Sequence, residues 1–230
     1  RYVASYDQTE NSTSPILEQT VSAGPPEKTT TTLSSSANPL ISGNKTTIKA
    51  TVSGANGTPT GTVYFYSNSG FFQSASVSSG HASIEAALSV GNIALTATYS
   101  GDTYYQGSFS KPLSQTVITA ATSTSLTSSL NPSALGQLVT LTASVTSEGG
   151  YPPFGSIGFY EGTTLLRSFE TYGLSTIQFT TTTLPIGDHS LRAVYTASSN
   201  PNHGNTIQTQ DSTSSSLTQT VLTSQQLINW

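Results

Sequence analysis

In a chain of 230 residues only 8% are charged, and the formal net charge is −4 with seven Lys and Arg in all. So few cations exclude a nucleic-acid surface, because neutralising phosphates takes clustered Lys and Arg. Cysteine and methionine are both absent, which excludes disulfides, zinc–thiolate sites and a cysteine nucleophile.

The polarity missing from charges, about 25% in an average soluble domain, comes from Ser and Thr. The branched Cβ of Thr suits a pleated strand. No run approaches the ~18 apolar residues of a membrane span, and a chain that opens as a fragment cannot show a signal peptide. Low charge on Ser/Thr-rich strands suggests an extracellular or cell-surface protein.

Taken from the start, residues 1–21 match the end of a unit that recurs later. Ala4-Ser5-Tyr6 parallels Ala97-Thr98-Tyr99, and Leu17-Glu18-Gln19-Thr20-Val21 parallels Leu113-Ser114-Gln115-Thr116-Val117. They are expected to be the last two strands of a truncated preceding repeat. Two strands without a sheet are marginal, so poor order or pairing with a foreign edge is expected there. The chain opens on Arg rather than Met, in keeping with a piece of a longer array. Residues 22–28 form a linker in which Pro25-Pro26 holds the backbone extended.

Residues 29–118 and 124–222 are two copies of one unit, joined by 119–123 and followed by a tail at 223–230. Asn38-Pro39 and Asn131-Pro132, Gly43 and Gly136, Ile48 and Leu141 each lie 93 positions apart (131 − 38). The offset widens to 94 at Gly61 and Gly155, 96 at Gly91 and Gly187, and 104 at the closing Leu113 and Leu217. Small growing steps are what loop insertions into a common framework produce. Within each copy the apolar residues alternate: Ile48, Ala50 and Val52 with Val139, Leu141, Ala143 and Val145. Val63 and Phe65 answer to Ile157 and Phe159, while Ala82, Ile84 and Leu88 answer to Ile177, Phe179 and Leu184. Leu95, Ala97 and Tyr99 answer to Leu191, Ala193 and Tyr195. About seven short strands per unit, with Pro/Gly turns every 8–12 residues, predict an all-β fold of tandem immunoglobulin-like β-sandwich domains. The connector Val117–Thr122 lacks Gly and Pro, so the pair is expected to be a semi-rigid rod, with roughly 40 Å per sandwich.

Asn38-Pro39, Gly43, Pro59-Thr60-Gly61-Thr62-Val63-Tyr64-Phe65-Tyr66, Leu88 to Gly91, Leu95 to Asp102 and Gln115-Thr116-Val117 together resemble the bacterial Ig-like repeat of the group 3 type. The second copy departs at Ser156-Ile157-Gly158 and at Thr196-Ala197-Ser198. The resemblance implies secreted or surface-anchored tandem modules of adhesins, cell-wall proteins and large exoenzymes, and it brings no catalytic site.

Nothing in the residues points to chemistry or a cofactor. His81, His189 and His203 lack metal-ligand spacing, no Gly-x-Ser-x-Gly elbow occurs, and no closely spaced acids suit calcium. Asp102 is expected to be a turn residue bonding its own backbone. Lys49 on the outward face and Lys45 in a turn argue against a buried Lys–Asn cross-link. Asn11-Ser12-Thr13, Asn44-Lys45-Thr46 and Asn56-Gly57-Thr58 match a glycosylation acceptor, a pattern that Ser/Thr-rich chains produce by chance.

Two surface features could carry recognition. Tyr64 and Tyr66 point outward beside Phe71 and Phe72, as stacking rings for a glycan. Tyr64 becomes Gly158 in the second copy, so that feature is not common to the repeats. The second is the long loop bearing Asn200, Asn202 and His203, where 22 positions separate Tyr195 from Leu217 against 14 between Tyr99 and Leu113. The expected role is a non-enzymatic spacer in a larger secreted or surface protein, its partners being neighbouring repeats. The alternatives are a glycan- or protein-binding adhesion module and an accessory region of an exoenzyme.

Overall fold

Wherever the sequence alternates apolar residues with Thr and Ser, the chain is extended and one face is buried. A computed structural model describes residues 24–151, 153–198 and 207–228. The first repeat forms β1 (Thr29–Ser35), β2 (Leu40–Ile41), β3 (Lys45–Gly54), β4 (Thr62–Ser67), β5 (Gly70–Ser76), β6 (His81–Ala87), β7 (Gly91–Tyr99), β8 (Ser108–Phe109) and β9 (Leu113–Ile118). The second runs through β10 (Thr122–Ser128), β11 (Ser133–Ala134), β12 (Val139–Ser147), β13 (Gly155–Glu161), β14 (Thr164–Glu170), β15 (Thr176–Thr181), β16 (Gly187–Ala197), β17 (Ser212–Thr213) and β18 (Leu217–Leu222). A five-residue helix, α1 (Ser224–Ile228), follows. The strands beyond the expected seven per repeat are two-residue pairings, β2, β8, β11 and β17. Lys45 opens β3 rather than sitting in the preceding turn, and it is exposed beside Glu85 at 4.0 Å.

Each repeat packs a sheet ordered β1-β3-β6 on one ordered β2-β9-β7-β4-β5, and the second repeats this as β10-β12-β15 on β11-β18-β16-β13-β14. The inner faces enclose separate cores. One contains Ile48, Val63, Phe65, Leu95 and Tyr99, the other Leu141, Ile157, Phe159, Leu191 and Tyr195. Each such side chain contributes about 1.5–3 kcal/mol by leaving water. The expected inward residues are therefore the interior, and among the described residues the two halves have separate cores.

The paired motifs Asn-Pro and Gln-Thr-Val are explained by contact between them. Between β1 and β2 the chain crosses from one sheet to the other at the cis peptide Asn38-Pro39, and at Asn131-Pro132 in the second repeat. There the Asn side chain acts as a strand partner: Asn38 Nδ2 donates to Ser114 O at 2.7 Å, and Thr116 N donates to Asn38 Oδ1 at 3.0 Å. Asn131 does the same with Thr218 O and Thr220 N at 2.6 and 2.9 Å. From the opposite side the fully buried Gln115 donates to Ala37 O at 3.0 Å, and Gln219 to Leu130 O at 2.9 Å. A buried amide is tolerated because it meets carbonyls that have left their own ladder.

A bulge recurs at the same place in both copies. Tyr66 pairs with Phe71 and Phe65 with Gln73, leaving Phe72 as the extra residue; Tyr160 with Leu165 and Phe159 with Arg167 leave Leu166. The insertion shifts the phase of β5 and β14, so Phe72 and Ala75, three apart, both reach the first core, and Leu166 and Phe169 the second.

Candidate functional site at the junction of the sandwiches

Where the first sandwich ends and the second begins, the loop Ser42-Gly43-Asn44 between β2 and β3 meets the loop that leaves β12. Tyr151, from that second loop, donates its hydroxyl to Gly43 O and lies 3.3 Å from Asn44 Oδ1. Ser147 Oγ holds the same loop by donating to Tyr151 O. Gly43 has φ +91°, and a Cβ there would stand 2.6 Å from the Tyr151 ring, so the residue must be glycine for the ring to seat. Beside it Ser42, 0% exposed, accepts from Gln208 N at 2.7 Å. The connector is itself incorporated: Ala120 N donates to Gln208 O and Gln210 N to Ala120 O, both at 2.9 Å. Asn44, one of the acceptor-pattern matches, thus belongs to this contact.

The opposite end of the first sandwich is a polar knot. Asp102 accepts from Tyr104 N and Tyr105 N at 2.8 and 2.9 Å, bonding its own turn, and from Thr60 N and Oγ1 at 2.8 and 2.7 Å. The Thr60 hydroxyl, with these backbone donors, holds the carboxyl down at about 2. Next to it the buried Tyr99 hydroxyl finds no hydrogen-bond partner among the described residues. Burial, and then the negative Asp102, push that hydroxyl up to about 12. Its counterpart Tyr195 instead donates to Phe154 O at 2.7 Å. Glu27 completes the knot, accepting from Asn56 N at 3.1 Å and Asn56 Nδ2 at 2.6 Å.

Among the residues singled out for recognition, the structure brings Tyr64, Tyr66 and Phe71 together on the outer side of β4 and β5. Phe71 is 62% exposed and Tyr64 39%, while Tyr66 is half-buried. Their rings meet at 6.4 and 5.9 Å between centroids, tilted by 56° and 74°, so they make a corrugated cluster rather than a flat platform. Phe72 is parted from them by the bulge and packs against the core. Asn200, Asn202 and His203 lie outside the described residues, as do residues 1–21.

Three contacts were not legible in the sequence. The first two are Tyr151 on Gly43 and Gln208 on Ser42. The third is the pair of the buried His189 with Glu161, 2.6 Å from Nδ1 to Oε1, while Nε2 stands 2.8 Å from Pro185 O. Burial resists charging His189, but Glu161, Pro185 and Asp188 outweigh it and raise the pKa. With an acceptor on each ring nitrogen, the imidazolium is the form that satisfies both. Among the described residues no three His, Cys, Asp or Glu side chains gather as a metal site would require. No described helix is long and apolar enough to cross a membrane.

Two sandwiches of one topology, each with a sheet-crossing first strand, and joined by a specific loop contact, define a tandem immunoglobulin-like repeat. The chain belongs to the bacterial Ig-like domain (group 3) family, whose model matches residues 31–118 and again 126–222. No curated protein matches it in sequence. Among solved structures it is similar to the fibronectin(III)-like modules of Clostridium thermocellum CbhA, at 15% identity over 83% of this chain and 94% of that one, TM-score 0.32. It is also similar to the Yersinia pseudotuberculosis adhesin InvE, at 16% identity over 80% of this chain and 58% of that one, TM-score 0.34. The D0-D1 domain of intimin matches at 15% identity over 83% and 97%, TM-score 0.27.

Proposed function

We propose that these repeats are a non-enzymatic spacer in a larger secreted or surface-exposed protein, holding what they connect at a set distance and angle. The observation that carries this is the seating of Tyr151 on Gly43, with Gln208 on Ser42. A spacer needs sandwiches that resist bending, and a ring lodged against a glycine resists it more than a bare connector does. The division into sandwich units at 29–118 and 124–222 with the short connector 119–123 belongs to the same proposal. Small-angle scattering on the intact chain, with residual dipolar couplings for each sandwich, tests it. One shared alignment tensor is expected for the wild type, with a length of roughly 80 Å for two sandwiches. Tyr151→Ala should split the tensors. Independent tensors in the wild type would sink the spacer reading.

A second reading, an adhesion contact for a glycan or a surface protein, is favoured by the exposed Tyr64–Phe71–Tyr66 cluster. Binding on a glycan array that disappears in Tyr64→Ala and Tyr66→Ala would establish it. No signal with either wild type or variants leaves the spacer alone. An accessory role beside an exoenzyme would use the same spacing property.

A further inference from the structure

The loop that leaves β3 carries Asn56-Gly57, the sole Asn-Gly pair in the sequence. Packing imposes the glycine: Gly57 has φ +92°, and a Cβ there would stand 2.9 Å from the Tyr105 hydroxyl. That hydroxyl donates to Asn56 O, and a Cβ on Gly54 would stand 2.4 Å from the same ring. Asn56 itself is exposed and is held from outside the loop. Glu27 accepts from Asn56 N at 3.1 Å and from Asn56 Nδ2 at 2.6 Å, one bond to each carboxylate oxygen. The backbone of Glu27 is fixed beside it, Glu27 N donating to Tyr104 O and Gln106 N to Glu27 O, both at 2.7 Å.

Two opposed tendencies meet in this loop. A glycine nitrogen has no adjacent Cβ to shield it, and it sits within reach of the preceding Asn Cγ, so ring closure is intramolecular. Among the described residues Gly57 N–H donates to nothing, so no hydrogen bond restrains that nitrogen. Against this, Glu27 grips Asn56 Nδ2, the group that ring closure must expel.

We propose that Asn56-Gly57 is a self-modification site gated by Glu27: when Glu27 lets go, Asn56 deamidates, and the new carboxylate prevents Glu27 from returning. Gly57 N bonds to Asn56 Cγ as it loses its proton, the Cγ–Nδ2 bond breaks, and ammonia leaves. Water then opens the cyclic imide at one carbonyl or the other, leaving aspartate or its β-linked isomer at position 56. Nothing is oxidised or reduced, and water is the sole co-reactant. A carboxylate oxygen then stands in place of the nitrogen that was 2.6 Å from Glu27 Oε1. The donor is gone and two like charges face each other, so a local opening becomes permanent.

The second repeat lacks both halves of the device. Gly54 pairs with Thr29 as Ser147 pairs with Thr122, so Asn56-Gly57 corresponds to Gly149-Gly150. Ala120 makes the two backbone bonds that Glu27 makes, to Gln208 and Gln210, and has no carboxylate. Amide and acid are therefore present together or absent together.

Peptide mapping by mass spectrometry, on the intact chain incubated in mildly alkaline buffer, tests the gate. Glu27→Ala should speed loss of the Asn56 amide by at least about tenfold, as expected from removing a charge-assisted bond to the departing nitrogen. Glu27→Gln keeps an acceptor oxygen and should fall between. Asn68, which precedes the small Ser69, should react at one rate in all three proteins. An Asn56 that survives in every protein, or reacts equally with and without Glu27, overturns the proposal. So does a Glu27→Ala variant in which Asn68 accelerates equally, since the sandwich has then opened as a whole. Hydrogen exchange tests the permanence. In Asn56→Asp the Gln106 amide should lose at least about tenfold of its protection, and in the uncharged Asn56→Ser less. Full protection in Asn56→Asp would show that the carboxylate does not keep Glu27 away. The spacer reading stands or falls separately, because Tyr151→Ala leaves Glu27 and Asn56 untouched.

Discussion

The hydroxyl of Tyr151, in the second sandwich, donates to the carbonyl of Gly43 in the first, and the ring occupies the space a side chain at Gly43 would need. A tandem repeat is usually pictured as beads whose connectors decide their freedom. Here one loop of each bead is part of its neighbour's surface.

The two equivalent glycines give a controlled comparison. Gly43→Ala meets both a positive φ of +91° and the Tyr151 ring, whereas Gly136→Ala meets only a φ of +76°. Both should destabilise by about 1 kcal/mol from backbone strain. Gly43→Ala should additionally uncouple the sandwiches, seen as separate melting transitions and split alignment tensors. Equal behaviour of the two variants would contradict the seating of the ring.

The buried glutamines differ in how completely they are satisfied. Gln219 accepts from Ser128 Oγ at 2.6 Å, whereas Gln115 Oε1 has no partner among the described residues. Gln219→Ala should cost roughly 2–3 kcal/mol and Gln115→Ala nearer 1–2 kcal/mol, because the first breaks more hydrogen bonds. Chemical denaturation followed by circular dichroism measures both.

His189 makes the second sandwich sensitive to pH. Its folded pKa is raised above the ordinary 6.5 by Glu161, Pro185 and Asp188, against burial. The added stability is fully present below 6.5 and disappears as pH rises through the folded value. Melting temperatures of the second sandwich should fall across that interval. His189→Ile, the residue type at Ile93 in the first repeat, should flatten the dependence.

Asp102 acts at the acid end and in the first sandwich. Its carboxyl is held at about 2, mainly by the Thr60 hydroxyl, against an ordinary value of 3.8. The stability it contributes is present above 3.8 and is lost as pH falls through 2. Asp102→Asn should remove that part of the acid limb and leave the His189 effect unchanged. Acid titrations followed by circular dichroism distinguish the two.

Some of the site was visible in the residues. Tyr64 faces outward as strand parity requires, because successive side chains must alternate across a pleat. Phe72 is its near neighbour in sequence, but the bulge after Phe71 sends it to the core. A bulge changes phase without leaving a residue signature of its own, so parity beyond it cannot be counted. The junction was invisible for a different reason. Tyr151 and Gly43 are 108 positions apart, and neither is unusual in its own loop.

What the sequence by itself determined is local and periodic. Alternation set the strands, and the duplicated Asn-Pro and Gln-Thr-Val set the frame of each sandwich. These follow from short-range sterics and from burial, which act on each stretch of chain wherever it is placed. Only the tertiary structure decided which glycine carries a neighbour's tyrosine and which histidine is held between two acceptors. Those depend on groups distant in the chain arriving within a few ångströms, and the offsets between the copies do not encode that arrival.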